Sequence, residues 1–444
     1  MKIVIAGAGE TGSHLAKILS QENQNITVLD ANEAKLKQLK TSLNVNTVAG
    51  EAISISSLKE CGIEEADLFV AVTPSESENT TACIISSKLG AKKTLARVDN
   101  CEFILQENKQ FFEELGISSL VYPEMLAANE IINSLNATWL REYMEFENGA
   151  MMLVGIKVRA NAEIVHKQFS SGYFDHTHYR VVAIKRPDQT IIPKGSDQIL
   201  PNDLVYFITS HEDLDFVRQQ SGKEKYEVRN IMIMGGSRIA ECTARELPDH
   251  MRVKLIEIDK KKSHELGDRL NNILVINGDG RDVELLKEED IEDMDAFVAL
   301  TDNSETNILA CSVAKRFGIK KTIAEIENIE SIPLAESLDI GAILNKKLLT
   351  ASHIYQLTLS ANISNVKCLT NVEAVAMEFV VKEGSKVTLD SVRDLQLPKN
   401  VNIGALIRDG KGITVSGSTV IQANDHVIVF CMSDSVRKLD SYFH

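Results

Sequence analysis

The sequence runs to 444 residues, enough for two to four domains at roughly 100–200 residues each. Hydrophobic residues make up 44% and charged residues 25%, an ordinary globular mixture, and the formal net charge is −15. An excess of acid repels polyphosphate backbones and anionic lipid, which argues against a nucleic-acid binder and against an electrostatic membrane anchor.

No apolar run approaches the ~20 residues that a membrane helix needs. Met1 to Ile5 leads straight into a strand pattern, without the charged, apolar and cleavage regions of a secretory signal. The expectation is a cytoplasmic protein whose membrane role, if any, comes through a partner. Cys61, Cys83, Cys101, Cys242, Cys311, Cys368 and Cys431 form no CxxC pair. They read as reduced thiols, mostly small core residues.

Lys2 to Ala6 is predicted as a short buried strand. Gly7-Ala8-Gly9-Glu10-Thr11-Gly12 follows, a GxGxxG opening a helix over Glu10 to Gln21. In that setting Gly7 permits the tight turn, Gly9 lets the backbone approach a phosphate, and Gly12 lets the helix pack on the sheet. The helix N-terminus offers free N–H groups to the anion. Further strands are predicted at Ile26 to Leu29, Val45 to Ala49, Asp67 to Val72 and Thr94 to Val98, with a helix over Ser77 to Leu89. Short apolar strands alternating with helices imply a doubly wound parallel sheet.

Asp30 lies 18 residues beyond Gly12 at the end of the second strand. A carboxylate there suits ribose hydroxyls and repels a 2′-phosphate, favouring NAD over NADP. Arg97 ends the fifth strand, where its fork would meet a phosphate or form a surface ion pair. Thr73 and Asn79 flank the loop after the fourth strand, as helix caps, ligand contacts or both.

The pattern then changes to short β-rich segments at Leu153 to Val158, Tyr179 to Ile184 and Leu204 to Ile208, a small α+β unit. Asp175-His176-Thr177-His178 within it could suggest a metal site, but with no further ligands nearby in sequence it reads as a polar loop. Ser221 to Arg229 is polar and marks the boundary between halves. Beyond it the chain repeats. Gly7, Gly50, Thr73, Asn79 and Gly90 return as Gly235, Gly278, Thr301, Asn307 and Gly318, all offset by 228 residues. Asn202-Asp203 returns as Asn424-Asp425, offset by 222, beside β segments at Ala376 to Val381 and His426 to Cys431. The expected division is 1–138 and 228–358 for two Rossmann-like N domains, and 139–222 and 359–444 for two small C domains.

The second turn is altered: Gly235-Gly236-Ser237-Arg238-Ile239-Ala240. Ser237 puts a side chain near the phosphates, and Arg238 is a candidate to compensate. Glu257 takes the ribose-acid position, Asp279 follows Gly278, and Glu325 reverses the charge of Arg97. The second pocket is therefore expected to bind differently or more weakly. The sequence contains no nucleophile elbow, P-loop or Ser-His-Asp set.

The doubled layout, Gly7 to Gly12 with Asp30, and the loop Thr301 to Asn307 resemble the tandem RCK (regulator of potassium conductance) family over nearly the whole chain. Gly278-Asp279-Gly280 is similar to that family's turn after the third strand, where the first half has Gly50-Glu51-Ala52. The resemblance implies a non-catalytic, peripheral regulatory subunit, forming a homotetrameric ring on the cytosolic face of a TrkH-type potassium channel. It implies NAD(H) as ligand, with ATP or ADP as further candidates. The rival readings are an NAD-dependent oxidoreductase, which the glycine motif would serve equally, and a regulator of another cation transporter.

Overall fold

The computed structural model describes residues 1–20, 24–186, 189–358, 363–368, 374–398, 400–432, 435, 439, 442 and 443. The first module builds one six-stranded parallel sheet. Its strands are β1 (Lys2–Ala6), β2 (Asn25–Asp30), β3 (Asn46–Ala49), β4 (Leu68–Ala71), β5 (Thr94–Arg97) and β6 (Ser119–Val121), in the order β3-β2-β1-β4-β5-β6. Ile3, Val4, Ile5 and Ala6 are all fully buried, as a strand covered by helices on both faces requires. The covering helices are α1 (Glu10–Ser20), α2 (Glu33–Ser42), α3 (Ile55–Glu60), α4 (Glu76–Leu89) and α5 (Lys109–Glu114), and α6 (Pro123–Asn136) follows the last strand. Gln21, the expected last residue of α1, lies outside the described residues. Strand order reverses between β1 and β4, so the crevice beyond their carboxyl ends is where such sheets hold ligands.

The first small module is a five-stranded antiparallel sheet of β7 (Glu142–Phe146), β8 (Met151–Lys157), β9 (Tyr179–Arg186), β10 (Gln189–Ile191) and β11 (Leu204–Thr209), closed by α7 (Leu214–Gln220). Residues 223–229 then run without helix or strand.

The parallel module repeats as β12 (Asn230–Met234), α8 (Arg238–Glu246), β13 (Arg252–Glu257), α9 (Lys260–Arg269), β14 (Leu274–Asn277), α10 (Val283–Glu288), β15 (Ala296–Ala299), α11 (Ser304–Arg316), β16 (Lys321–Glu325), α12 (Ile332–Ser337), β17 (Ala342–Leu344) and α13 (Lys346–Thr358). Its order, β14-β13-β12-β15-β16-β17, reproduces the first sheet strand for strand. The second small sheet, β18 (Ile363–Cys368), β19 (Ala374–Val380), β20 (Val401–Arg408), β21 (Lys411–Thr414) and β22 (His426–Met432), repeats the topology of its counterpart. In both, an aspartate follows an asparagine held at positive φ, 69° at Asn202 and 68° at Asn424. The buried Asp203 takes the Arg186 guanidinium at 3.0 Å, and the buried Asp425 takes that of Arg408 at 2.7 Å.

The sixth strands and the helices α6 and α13 were not expected from the sequence. Ser119–Val121 and Ala342–Leu344 have three residues each, too few for a period of two to register. They matter because α6 and α13 carry the contact between halves. Helix α1 packs on α13, and α8 on α6. Ala127, Ile131 and Leu135 of α6 share a core with Ile239 and Ala240 of α8. Ala351, Ile354 and Tyr355 of α13 share one with Leu15 and Leu19 of α1. The small sheets meet through Tyr206, Ile208, Ala405 and Phe430. Among the described residues no helix is long and apolar enough to cross a membrane.

Candidate functional site: two glycine turns at the sheet crevices

Gly7 leaves β1 at φ +111°, and a Cβ there would lie 2.9 Å from the Val72 carbonyl oxygen. Only glycine meets both demands. A Cβ on Gly12 would fall 1.9 Å from the Gly7 carbonyl oxygen, so α1 touches the turn backbone to backbone. A Cβ on Gly9 would meet nothing within 4 Å. The three glycines thus divide as the motif predicts: two are forced by contact, and one faces open space. Beside that space the first-turn amides of α1 lack intrahelical partners.

The Asp30 carboxylate faces the turn. One oxygen accepts from Ala8 N–H at 2.6 Å and the other from Asn32 N–H at 2.8 Å. A carboxylate has about four acceptor positions, and these two bonds leave about two of them open. The Gly50 N–H bonds the Asp30 carbonyl at 3.1 Å, bringing exposed Glu51 and buried Ala52 to the same edge. Thr73 lies across the crevice, and its hydroxyl is committed: it bonds Asn79 Oδ1 and Glu78 Oε2, both at 2.9 Å. Buried Asn79 also donates to the carbonyls of Thr73 and Arg97, each at 3.0 Å, tying the ends of β4 and β5 together. The cap of α4 is instead Ser75, which accepts from Glu78 N–H. Arg97 sits at the crevice but is held by Asp99 at 2.9 Å.

The second turn encloses a cavity of about 280 Å³. Gly235, Gly236, Ser237, Glu257, Gly278, Asp279 and Thr301 line it, joined by Lys262, Arg281, Asp302 and Asn303. Glu257 repeats the geometry of Asp30, accepting from Gly236 N–H and from Asp259 N–H, both at 2.8 Å. It differs in being buried, with the Lys262 ammonium 3.3 Å away. Ser237 turns its hydroxyl back onto Ala240 N–H and serves as the helix cap. Asp279 is clasped by Arg281 at 2.7 Å, which holds its carboxyl below the usual range. Asn307 repeats the Asn79 clamp on Thr301 and on the Glu325 carbonyl. The Glu325 carboxyl is buried, and burial pushes its pKa up to about 7. The reversed charge read from the sequence is therefore partly discharged at neutral pH.

Arg238 and Ile239 do not line the second cavity. Ile239 is buried against α6. Arg238 reaches into the first half, 3.6 Å from Asp99, which itself holds Arg97. The first turn is tied the other way: Glu10 bonds Lys347 of α13 at 2.6 Å, and Lys347 also holds Glu327 at 3.2 Å. Each turn helix begins with a charge paired to the opposite half. Sequence reading missed Asp99 and Lys347, because nothing local marks a contact made across the fold; the Lys262–Glu257 pair, five residues apart, was within its reach.

His176 and His178 diverge in their partners. His178 Nδ1 is 2.6 Å from Asp213, while His176 lies edge-on to Tyr179 with both ring nitrogens buried and unbonded. A donor group that sequence reading did not single out gathers at the seam of the small sheets, where His426 meets Glu378 at 2.7 Å and Glu147 at 3.3 Å. Of the cysteines, Cys101 is exposed and Cys61, Cys83, Cys242, Cys311 and Cys431 are buried thiols; the Cys368 side chain lies outside the described residues.

Two doubly wound modules, each followed by a small antiparallel module, define a tandem RCK-type chain. The GsuK RCK domain superimposes on 99% of this chain and 94% of its own with a TM-score of 0.58 at 15% identity. The GsuK channel bound to NAD gives 0.59 at 14% identity, covering 99% and 78%. The TrkA-N domain model matches residues 3–123 and 231–346, and the TrkA-C domain model matches 153–221 and 376–444. The Trk system potassium uptake protein TrkA of Halomonas elongata is 31% identical over the full chain and 98% of its own length. That of Vibrio alginolyticus is 31% identical over 98% and 96%. The chain belongs to the TrkA family, and its role is regulatory, in potassium transport.

Proposed function

We propose that the chain binds adenine dinucleotide, NAD or NADH, at the first glycine turn, and that occupancy of this turn biases a Trk-type membrane channel. Asp30 carries the reading. Its carboxylate is fixed by two backbone N–H groups, keeps acceptor capacity free, and stands beside the open space at Gly9. The neighbour described as the GsuK channel bound to NAD lends the ligand class; ATP and ADP remain candidates for either turn.

In this account the second turn is a different pocket rather than a copy. Glu257 is neutralised by Lys262, and Ser237 occupies the place of the open glycine. Charged pairs carry the signal, since Glu10 and Arg238 each begin a turn helix and each pair with the other half. A ligand shifts the arrangement of the halves only by its unequal affinity for the two arrangements. A homotetrameric ring beneath the channel, with these halves as its repeating units, would pass that shift to the pore on the cytoplasmic side.

Small-angle scattering with and without saturating NADH tests the coupling. A ligand-dependent change of shape, lost in Lys347→Ala, is the expected result. An unchanged profile with the nucleotide demonstrably bound would sink the coupling while leaving the binding reading intact.

A further inference from the structure

A second cavity, of about 340 Å³, opens at the junction of the first small module and the second parallel module. Its walls bring Arg141, Lys157 and Lys185 from one side against Glu336 and Asp339 from the other. Asp339 receives Arg141 Nη2 at 2.7 Å and Lys157 Nζ at 2.9 Å, and Lys315 Nζ lies 3.5 Å from its other oxygen. One carboxylate cannot balance three cations. The Lys185 ammonium makes no hydrogen bond or close ion pair among the described residues, and its charge acts on Glu336, which lines the same cavity.

Two further lysines stand nearby. Burial, reinforced by Arg141 and Arg159, pushes Lys223 down to about 8, and burial with Arg141 pushes Lys321 down to about 7. Three further acids, Glu130, Glu142 and Glu336, also line the cavity. Glu142 accepts from the Tyr206 hydroxyl at 3.0 Å, and burial raises the pKa of Glu336. Glu130, on the cavity wall, faces the buried Lys321.

The duplicated fold supplies a control. Lys157 and Lys185 flank Leu204 on its neighbouring strands, as Val380 and Ile407 flank His426. Lys315 lies against Asp339, as Ser87 lies against Gly116. At the matched positions the fold is built with Val380, Ile407, Ser87 and Gly116, all uncharged. The fold itself therefore does not demand the charges. Asp339 even keeps φ +50° where its counterpart Gly116 has +90°, a conformation that costs a non-glycine residue energy. The carboxylate and its cations are retained here against that cost.

We propose that this junction is an anion site that takes a small phosphate-bearing molecule. Its phosphate lies between Lys185 and the Arg141–Lys157 pair, and the cavity leaves room for a body of sugar size. Such a ligand touches both modules at once and stiffens the joint between them. The site is separate from both glycine turns and does not depend on how they are read.

The test uses the full-length chain, with pyrophosphate as the probe in calorimetry and tungstate, a phosphate mimic, soaked into crystals. Pyrophosphate should bind, weaken about tenfold or more in Lys185→Ala and in Lys157→Ala, and recover in Lys185→Arg. Because the Lys185 ammonium forms no hydrogen bond or close ion pair in the unliganded fold and meets Glu336 only through its charge, Lys185→Ala should melt close to the parent, so lost binding would not be lost structure. Tungstate density should appear between Lys185 and Arg141. No pyrophosphate binding, or binding that both alanine variants leave unchanged, or tungstate only at the glycine turns, would overturn the proposal.

Discussion

At the first turn, an added methyl on Gly12 would lie 1.9 Å from the Gly7 carbonyl oxygen. At the second, Ala240 already carries that methyl, fully buried against α6. Both turns keep the positive-φ glycine, the clamp asparagine and the carboxylate bonded to a turn amide. They differ in what faces the ligand space. The first offers bare backbone at Gly9 and a part-exposed Asp30. The second offers a serine cap, a buried glutamate with its own lysine, and a glutamate in place of Arg97. The shared parts hold the sheet edge together, and under the proposed function the unshared parts choose the ligand.

The sharpest break of that comparison is Gly12→Val. The clash is with backbone, which cannot swing away, so a loss of about 3 kcal/mol or more is expected, read as a lowered urea midpoint. Ala240→Gly at the matched position should cost about 2 kcal/mol, the helix-propensity difference plus the loss of one methyl buried against α6. Equal losses would show that the two turns pack alike after all.

The clamps should behave identically. Asn79→Ala and Asn307→Ala each strip several buried hydrogen bonds, and each should cost about 2–4 kcal/mol in the same melts. A large inequality would mean that one clamp is ornamental.

Glu325 separates the halves by pH. Its folded pKa of about 7 lies above the ordinary value of 4.5, so the folded chain binds the extra proton between those limits. Its contribution to stability is fully present below about 4.5 and is lost as pH rises through about 7, at up to ~1.4 kcal/mol per unit. Glu325→Gln should remove that slope from urea melts taken between pH 5 and 8. A slope identical to the parent's would assign the titration elsewhere.

Ser237→Gly is the mildest change. It removes the cap on Ala240 for a few tenths of a kcal/mol, yet recreates the open space of Gly9. Tighter nucleotide binding at the second turn is expected in calorimetry, and unchanged binding would show that Glu257 and Lys262, not Ser237, set its ligand.

How much of this was legible follows from distance along the chain. The turn, Asp30 and the duplication could be read because each depends on fixed short spacings or a fixed offset. The tight turn at Gly7 and the close packing at Gly12 stand where the motif put them, and a Cβ on Gly9 would meet only open space. Ser237 was seen as an intruder, but its cap on Ala240 depends on a rotamer that sequence does not specify. Arg238 was placed by its motif position, whereas the fold spends it on Asp99, more than a hundred residues away. Helices α6 and α13 escaped notice because their apolar faces pack on another helix pair rather than on their own sheet, and their strands are only three residues long. The cations around Asp339 come from three separate elements and carry no local signature.

The central claim is that the first turn is a working dinucleotide site distinct from the second. The most direct measurement is calorimetric titration of the intact chain with NADH, repeated on Asp30→Ala and Glu257→Ala. Saturable binding that vanishes in Asp30→Ala and survives in Glu257→Ala is the predicted result. Binding that survives Asp30→Ala, or no binding by the parent chain, would contradict it.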